Sequence, residues 1–253
     1  MNINEQVVLI TGASRGLGAA IARAFSREGA RVVINYYRSE KLATKLAEEL
    51  GDQSLAIKAD IRDSNQVTAM FDQAKKYFNH PVTTIVNNAL ISYVFDPQNR
   101  KTPDTISWDD YMQQLEGSVK AALNTIQAGL TDMKKIGFGR IINIGTNLVQ
   151  NPVVPYHDYT TSKAALLGFT RNMAKDLGSY GITVNMVSGG LLRTTDASSA
   201  TSQEVFDLIE STTPLRKVTT PEDLADVVLF FASPWARAVT GQNLIVDGGL
   251  VMN

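Results

Sequence analysis

The chain has 253 residues, of which 44% are hydrophobic, so it can bury a large core without disulfide staples. Its 24 basic and 25 acidic residues leave a net charge of −1, which argues against the basic footprint of a nucleic-acid-binding protein. Cysteine is absent and there are two histidines, so disulfides, thiolate nucleophiles, cysteine metal sites and three-histidine zinc sites are excluded, and we expect no metal.

Short apolar runs alternate with amphipathic segments along the chain. Val7–Ile10 is apolar and stops at a glycine-containing turn, which is typical of a buried strand. Asp63 is a suitable helix cap, and a proline opens the helix predicted over Pro221–Ala232. Further strands are predicted over 31–35, 55–59, 82–87, 140–144, 182–187 and 244–246. Further helices are predicted over about 16–28, 41–50, 63–78, 107–135 and 157–178, with a mixed helical excursion over 196–212.

This alternation predicts an α/β fold: one doubly wound, mostly parallel sheet with helices on both faces. No linker or repeat divides the chain, so we expect a single domain over 1–253. In such a sheet, ligands bind beyond the carboxyl ends of the strands. The N-terminus lacks the pattern of a signal peptide, and no apolar stretch approaches the ~20 residues that span a bilayer. We therefore expect a soluble cytoplasmic protein without a membrane partner.

A glycine-rich turn follows the first predicted strand. Gly12, Gly16 and Gly18 have the spacing G-x-x-x-G-x-G, and they precede a predicted helix. Glycines let the backbone approach a pyrophosphate, and the helix N-terminus favours its negative charge, as in Rossmann-type dinucleotide sites. No Gly-Lys-Ser/Thr follows, which argues against a nucleoside triphosphatase loop. A glycine turn can also be a tight connection and nothing more.

The second predicted strand ends without the acidic residue that binds the ribose of NAD. Arg38 lies there instead, and Arg15 lies in the glycine turn. Guanidinium groups pair well with phosphate, so this pocket favours the 2′-phosphate of NADP. The alternative is that both arginines are solvated surface residues.

Tyr159 and Lys163 are four residues apart on one predicted helix, so they share a face. A phenol is a poor acid–base group at neutral pH, but a nearby ammonium lowers its pKa. Tyr159 would then exchange a proton with a carbonyl or an alcohol. Taken alone, the pair could equally be surface decoration.

The glycine turn, Asn87-Asn88-Ala89 and the Tyr159/Lys163 pair, in this order and spacing, resemble the short-chain dehydrogenase/reductase family. The resemblance covers the whole chain and includes the terminal segments 240–242 and 247–249. Within that family, the chain is most similar to the bacterial 3-oxoacyl-[acyl-carrier-protein] reductases of fatty acid biosynthesis. The resemblance implies a Rossmann-type fold, NADP(H) as cofactor and a homotetramer.

The resemblance also implies roles for individual residues. Tyr159 is the catalytic acid/base, and Lys163 holds the nicotinamide ribose and lowers the pKa of Tyr159. The implied catalytic set is Thr146, Tyr159, Lys163 and Ser118. The implied cofactor-binding set is Gly12, Ser14, Arg15, Gly16, Leu17, Gly18, Tyr36, Arg38, Ser39, Asp60, Ile61, Asn87, Ala89, Tyr159, Lys163, Gly190, Leu192 and Thr194.

Four positions depart from the family pattern. Thr146 replaces the catalytic serine, and its methyl group narrows the pocket while the hydroxyl is kept. Ser118 replaces the helix asparagine that orders a water behind the lysine, so the proton relay is in question. Leu90 replaces the glycine after Ala89, and glycines stand at 189 and 190 where the pattern has proline and glycine, which should loosen this loop.

The remaining candidates for the substrate pocket are apolar with aromatic edges, and they could instead be core or oligomer surface. They are Leu90, Tyr93, Val153, Val154, Tyr156, Leu191 and Leu192. Apolar positions on the helices over 107–135 and 157–178 are expected to pair across a two-fold axis. They are Leu115, Val119, Leu123, Leu166, Phe169 and Met173.

The sequence thus predicts an NADPH-dependent reductase of a carbonyl on a small or acyl-carrier-bound substrate. A runner-up is an alcohol, sugar or ketone dehydrogenase of the same family. A rival from another class is a cofactor-binding regulatory protein whose catalysis is weakened by the changes at Ser118 and Thr146.

Overall fold

The computed structural model describes residues 1–91, 93, 95–193, 195, 198 and 201–252. Within this part of the chain, seven strands form one sheet in the order β3-β2-β1-β4-β5-β6-β7, and every neighbouring pair is parallel. The strands are β1 (Val7–Ile10), β2 (Arg31–Tyr36), β3 (Ser54–Lys58), β4 (Thr84–Asn87), β5 (Gly139–Thr146), β6 (Ile182–Gly189) and β7 (Asn243–Val246). The predicted fold class is therefore confirmed.

Eight α-helices in the described residues connect and cover these strands. They are α1 (Gly16–Arg27), α2 (Glu40–Leu50), α3 (Ser64–Phe78), α4 (Trp108–Leu115), α5 (Ala121–Ile136), α6 (His157–Leu177), α7 (Gln203–Thr212) and α8 (Pro221–Ala232). As predicted, Asp63 caps α3, because its carboxylate accepts hydrogen bonds from the backbone N–H groups of Asn65 and Gln66. Thr220 and Asp223 form a capping box at the start of α8.

The core has one apolar layer on each face of the sheet. In β1, Val8 and Ile10 point into the layer that holds α1, α2 and α8, whereas Val7 and Leu9 point into the layer that holds α3, α5 and α6. Burial on both faces explains why this strand is a continuous apolar run. Because β1 lies between β2 and β4, the strand order reverses at its carboxyl end, which is where doubly wound sheets bind ligands.

The helix predicted over 107–135 is divided. A π-helical turn over Glu116–Lys120 separates α4 from α5. Gly117 packs against Ile91, and a Cβ atom at Gly117 would lie 2.5 Å from the Ile91 side chain. The Ser118 hydroxyl donates to the Gln114 carbonyl, a local bond that competes with regular helix geometry. The predicted excursion over 196–212 contains α7, which begins at Gln203, and residues 196, 197, 199 and 200 lie outside the described residues.

Candidate active site

The glycine turn between β1 and α1 is closed by direct packing of backbone on backbone. Gly12 has a φ of +63°, and a Cβ atom there would lie 2.8 Å from the Cα of Ala89. A Cβ atom at Gly18 would lie 2.5 Å from the Gly12 carbonyl oxygen and 2.7 Å from the Asn88 Nδ2 atom. Neither contact can be relieved by a flexible side chain. Only glycine fits at these two positions, so the turn presents its backbone at the carboxyl end of β1.

The end of β4 is tied to this turn by hydrogen bonds. The Thr11 hydroxyl oxygen accepts bonds from the backbone N–H groups of Asn88 and Ala89, at 2.9 and 3.0 Å. The Asn88 side-chain amide donates to the Thr11 carbonyl at 2.9 Å. Asn35, buried in β2, accepts a bond from the Gly12 N–H through its side-chain oxygen. Thr11, Asn35 and Asn88 were absent from the predicted site, although Thr11 and Asn88 lie within the motifs that identified it.

The remaining residues of the turn lie at the start of α1. Ser14 and Leu17 are half-buried, Arg15 is exposed, and α1 begins at Gly16, whose φ is +54°. At the end of the neighbouring strand β2, Tyr36 is buried and Arg38 is exposed, with the Arg38 guanidinium carbon 5.7 Å from the Tyr37 ring centre. Both arginines therefore lie beyond the carboxyl ends of adjacent strands, as the sequence predicted. Ser39 precedes α2.

Asp60 follows β3 and forms an ion pair with Arg62, whose Nη2 atom lies 2.6 Å from the Asp60 Oδ2 atom. The Arg62 guanidinium holds the pKa of the Asp60 carboxyl below its usual value. The backbone carbonyl of the buried Ile61 accepts a bond from the Asn124 side chain, which fixes this segment against α5. Arg62 was not among the predicted site residues, and the sequence shows nothing that distinguishes it from other surface arginines.

The Asn87 side chain forms hydrogen bonds to other side chains in the protein interior. Its amide donates to the Asn143 side chain at 2.9 Å and accepts from the Thr125 hydroxyl at 2.7 Å. Asn143 in turn donates to the Thr170 hydroxyl at 2.8 Å. This chain of buried polar groups joins β4 and β5 to α5 and α6. Asn87 therefore presents its backbone, and not its side chain, toward the edge of the sheet.

Tyr159 and Lys163 lie one turn apart on α6, beside the carboxyl end of β5. The Lys163 Nζ atom donates to the Ile144 carbonyl at 2.8 Å and lies 5.8 Å from the centre of the Tyr159 ring. The Thr146 hydroxyl lies close enough to the Tyr159 hydroxyl to lower the pKa of that phenol. Thr146, at the end of β5, also accepts a bond from the Leu148 N–H. The structure thus brings three of the four predicted catalytic side chains together.

Burial determines the protonation of this pair. It raises the pKa of Tyr159 to about 12, against a smaller lowering by the hydrogen bond with Thr146. It also lowers the pKa of Lys163 to about 8. Burial disfavours the charged form of both groups, and the lowering of the Tyr159 pKa by Lys163 stays a prediction.

Ser118 lies in the π-helical turn behind Lys163. Its hydroxyl donates to the Gln114 carbonyl at 2.7 Å. A cavity of about 10 Å³, roughly the space of one water molecule, lies between these residues. Its lining includes Asn87, Gly117, Ser118 and Lys163. The structure therefore brings Ser118 to the same cavity as Lys163, although the serine hydroxyl bonds to its own helix.

Beyond β6, Gly189 and Gly190 lie in close contact with neighbouring elements. A Cβ atom at Gly189 would lie 2.7 Å from the Leu224 side chain, and one at Gly190 would lie 3.0 Å from the Asn147 amide. Asn147 donates to the buried carboxylate of Asp247 at 2.9 Å. These glycines permit tight packing at the end of β6, and the expected loosening of the loop beyond them stays a prediction. Leu192 is half-buried, and Thr194 lies outside the described residues.

Of the predicted substrate-pocket residues, Tyr93 stacks on the Tyr159 ring, and Tyr156 contacts the Tyr93 ring. Phe95, which the sequence did not single out, joins them. Leu90 and Val153 are exposed.

Among the described residues, no three side chains of the histidine, aspartate or glutamate type come together in a way that could hold a metal ion. In the same part of the chain, no helix has both the length and the hydrophobicity to cross a membrane.

Residues 12–251 match the family model described as Enoyl-(Acyl carrier protein) reductase. The NADPH-dependent aldehyde reductase 2, chloroplastic, of Arabidopsis thaliana is 34% identical over 260 residues, which cover 98% of this chain and 94% of the relative. The 3-oxoacyl-[acyl-carrier-protein] reductase of Staphylococcus aureus is 34% identical over 249 residues, covering 96% and 97%.

Two solved structures that are similar to this chain contain a bound NADP or NADPH coenzyme. The blue fluorescent protein from a metagenomic library, in complex with NADPH, has a TM-score of 0.86 and 36% identity and covers 100% of both chains. The gluconate 5-dehydrogenase from Burkholderia cenocepacia, in complex with NADP and tartrate, has a TM-score of 0.86 and 30% identity and covers 97% of this chain and 94% of its own.

Proposed function

The chain belongs to the short-chain dehydrogenase/reductase family and is an NADP-dependent oxidoreductase, and on that premise we propose that it reduces a carbonyl group on an acyl-carrier-bound or small-molecule substrate. A 3-oxoacyl thioester is the substrate class suggested by the similarity to the Staphylococcus aureus reductase. The similarity to the Arabidopsis thaliana enzyme supports a free aldehyde or ketone as the second candidate. We further propose one domain over 1–253, consistent with a single sheet.

The residues at the edge of the sheet fit NADP(H). The turn at Gly12 and Gly18 is a cradle that a Cβ atom would fill, and it leaves backbone N–H groups at the start of α1 for a pyrophosphate. Arg15 and Arg38 offer guanidinium groups for a 2′-phosphate. The bound coenzyme supplies the hydride.

The chain's own residues supply the proton. Because the pKa of Tyr159 is raised to about 12, its hydroxyl is protonated at neutral pH and can donate to a developing alkoxide. The Thr146 hydroxyl, close to Tyr159 at the end of β5, can bind the same oxygen. Lys163 is held at the Ile144 carbonyl, where it can position the ribose. The placement of Tyr159 and Lys163 one turn apart on α6, beside Thr146 at the end of β5, is the observation that carries the proposal.

The test is loss of NADPH absorbance with acetoacetyl thioesters and a panel of ketones and aldehydes. Tyr159→Phe removes the proton donor and keeps the ring, so turnover should fall by roughly 10²–10⁴-fold. Tyr180→Phe makes the same change at an exposed residue after α6 and should keep the native rate. Tight NADPH binding without turnover on any carbonyl would support the regulatory rival.

We also propose a homotetramer. The expected contribution of Leu166 is wrong, because that side chain is buried inside the chain. In the first half of α6, the exposed residues are small and allow close helix approach, namely Thr161, Ala164, Ala165 and Gly168. Trp108 and Met112 are exposed on α4, whose neighbour is α6. Light scattering at micromolar concentration should give a tetramer, and Ala165→Arg should reduce it to a smaller species. A native monomer would contradict this.

A further inference from the structure

Four aromatic rings from two separate segments meet around the catalytic tyrosine. The Tyr93 ring stacks on the Tyr159 ring, with 5.3 Å between centres and 28° between planes. The Phe95 ring meets the Tyr159 ring edge-on at 4.9 Å. Tyr156 contacts Tyr93 at 5.8 Å and Phe95 at 5.4 Å. We call Tyr93, Phe95 and Tyr156 the ring cluster.

Besides its ring contacts, one member of the ring cluster forms a hydrogen bond to the helix that carries the catalytic tyrosine. The Tyr93 hydroxyl donates to the Asp158 carboxylate at 3.1 Å, and Asp158 directly precedes Tyr159 on α6. Burial raises the pKa of Tyr93, so its hydroxyl stays neutral. The hydroxyl is therefore already used, and Tyr93 offers a substrate its ring.

A substrate whose carbonyl bonds to the Tyr159 hydroxyl must place its substituents close to the ring cluster. Tyr159 is 7% exposed, and both Tyr93 and Phe95 lie within 5.3 Å of its ring. Aromatic rings at such separations attract other aromatic rings in stacked or edge-on geometries beyond the effect of buried area. A saturated group of the same size lacks this attraction.

Polyhydroxylated substrates fit this surface poorly. Each hydroxyl buried against the ring cluster would lose water and gain no hydrogen-bond partner from Phe95 or from the Tyr93 ring. The Tyr93 hydroxyl donates to Asp158 and would have to break that hydrogen bond before it could donate to a substrate hydroxyl. The ring cluster therefore disfavours sugar acids as substrates.

We infer, on the basis of the proposed carbonyl reduction, that the ring cluster recognises the substrate and selects carbonyl compounds with an aryl group next to the reacting carbon over saturated or polyhydroxylated ones of the same size. Tyr93 and Phe95 are the residues that determine this specificity.

The test uses acetophenone and cyclohexyl methyl ketone. Both are methyl ketones with a six-membered carbon ring on the carbonyl carbon, and the ring is aromatic in the first and saturated in the second. Calorimetry measures the binding of each ketone to the protein saturated with NADP⁺, a combination that cannot react. Acetophenone should bind roughly three- to tenfold more tightly. In Tyr93→Leu and in Phe95→Leu, the ratio of the two dissociation constants should fall toward one. Tyr93→Phe keeps the ring, so it should keep the ratio.

A native ratio of one or below would overturn the inference. So would an unchanged ratio in both leucine variants, or a loss in Tyr93→Phe as large as in Tyr93→Leu. NADP⁺ affinity and circular dichroism show whether each variant is folded, and the two leucine variants test the same point independently. Because binding is measured without turnover, failure to reduce any carbonyl would contradict the proposed function alone.

Discussion

The glycine turn and the ring cluster lie at the same edge of the sheet but are built by opposite means. At the turn, backbone packs on backbone, and a Cβ atom at Gly18 would lie 2.5 Å from the Gly12 carbonyl. At the ring cluster, large side chains from the segment after β4 and from the start of α6 pack on one another. A site made of backbone constrains the sequence to glycine at fixed spacing, whereas a site made of side chains accepts many combinations.

The catalytic pair lies between these regions. It shows that the substrate side of the site buries ionisable groups, which opposes their charged forms. Tyr159 and Lys163 are both almost fully buried, and burial opposes the charged form of each. The glycine turn buries no ionisable group of this kind, since Arg15 is exposed. The pH dependence of stability should therefore arise on the substrate side.

The largest effect is expected from Lys163. Its pKa is about 8 in the folded protein and 10.5 in its ordinary state, so the unfolded chain binds more protons between these values. The free energy of unfolding should therefore rise as pH increases from about 8 toward 10, by up to about 3 kcal/mol. Tyr159 reverses the slope above pH 10, because its folded pKa is about 12.

Urea unfolding at a series of pH values measures this rise, and Lys163→Met should flatten it. A rise of equal size in the variant would show that another group is responsible. Equal stability of the native protein at pH 8 and pH 10 would contradict the buried-cation account.

The next effect tests the turn. Gly18→Ala places a methyl group against the Gly12 carbonyl, so it should lower the free energy of unfolding by about 1–3 kcal/mol and weaken NADPH binding. Gly178→Ala is the matched control, because nothing lies within 4 Å of its Cβ position and its φ is −56°. The control should be more stable by about 0.4–1 kcal/mol. A similar decrease in the free energy of unfolding in both variants would show that close packing at Gly18 is not the reason for the loss of stability.

A smaller effect is expected from Arg38. Arg38→Ala should weaken NADPH binding more than NADH binding, by about 1 kcal/mol after screening at this exposed position. Arg31→Ala changes the same residue type at the opposite end of β2, where the guanidinium donates to the Glu5 carbonyl. Fluorescence titration of the native protein and both variants with both coenzymes gives six dissociation constants. Equal native affinities for NADPH and NADH would refute the coenzyme preference.

The smallest effect concerns Ser118. An asparagine at this position brings a longer amide to the cavity beside Lys163, so Ser118→Asn should raise kcat a few-fold, well below the roughly 10²–10⁴-fold of general acid–base catalysis, and leave NADPH affinity unchanged. Ser118→Ala is the control and should keep the native kcat, since the serine hydroxyl bonds to Gln114. The solvent isotope effect on kcat is the second readout. If neither quantity changes in Ser118→Asn, proton resupply at this position does not limit the rate.

Several features were predictable because they depend on local sequence. Strand boundaries differ from the predicted ones by at most two residues, since the central strands, such as β1, are largely apolar runs buried on both faces. Asp63 was predicted as a cap from residue type alone, and its carboxylate makes the two expected bonds. The division of the helix at Glu116–Lys120 was missed, because it goes together with the close contact of Gly117 with Ile91, which the local sequence does not show.

The sequence by itself determined the order of strands and helices, the glycine turn and the pairing of Tyr159 with Lys163 on one helix face, because each depends on spacing within a few residues. Tertiary structure decided the protonation of that pair, the bond of Lys163 to Ile144, the use of the Asn87 side chain inside the protein and the gathering of Tyr93, Phe95 and Tyr156 around Tyr159. These properties depend on burial and on contacts between segments that are distant in the chain, and neither is written in local spacing.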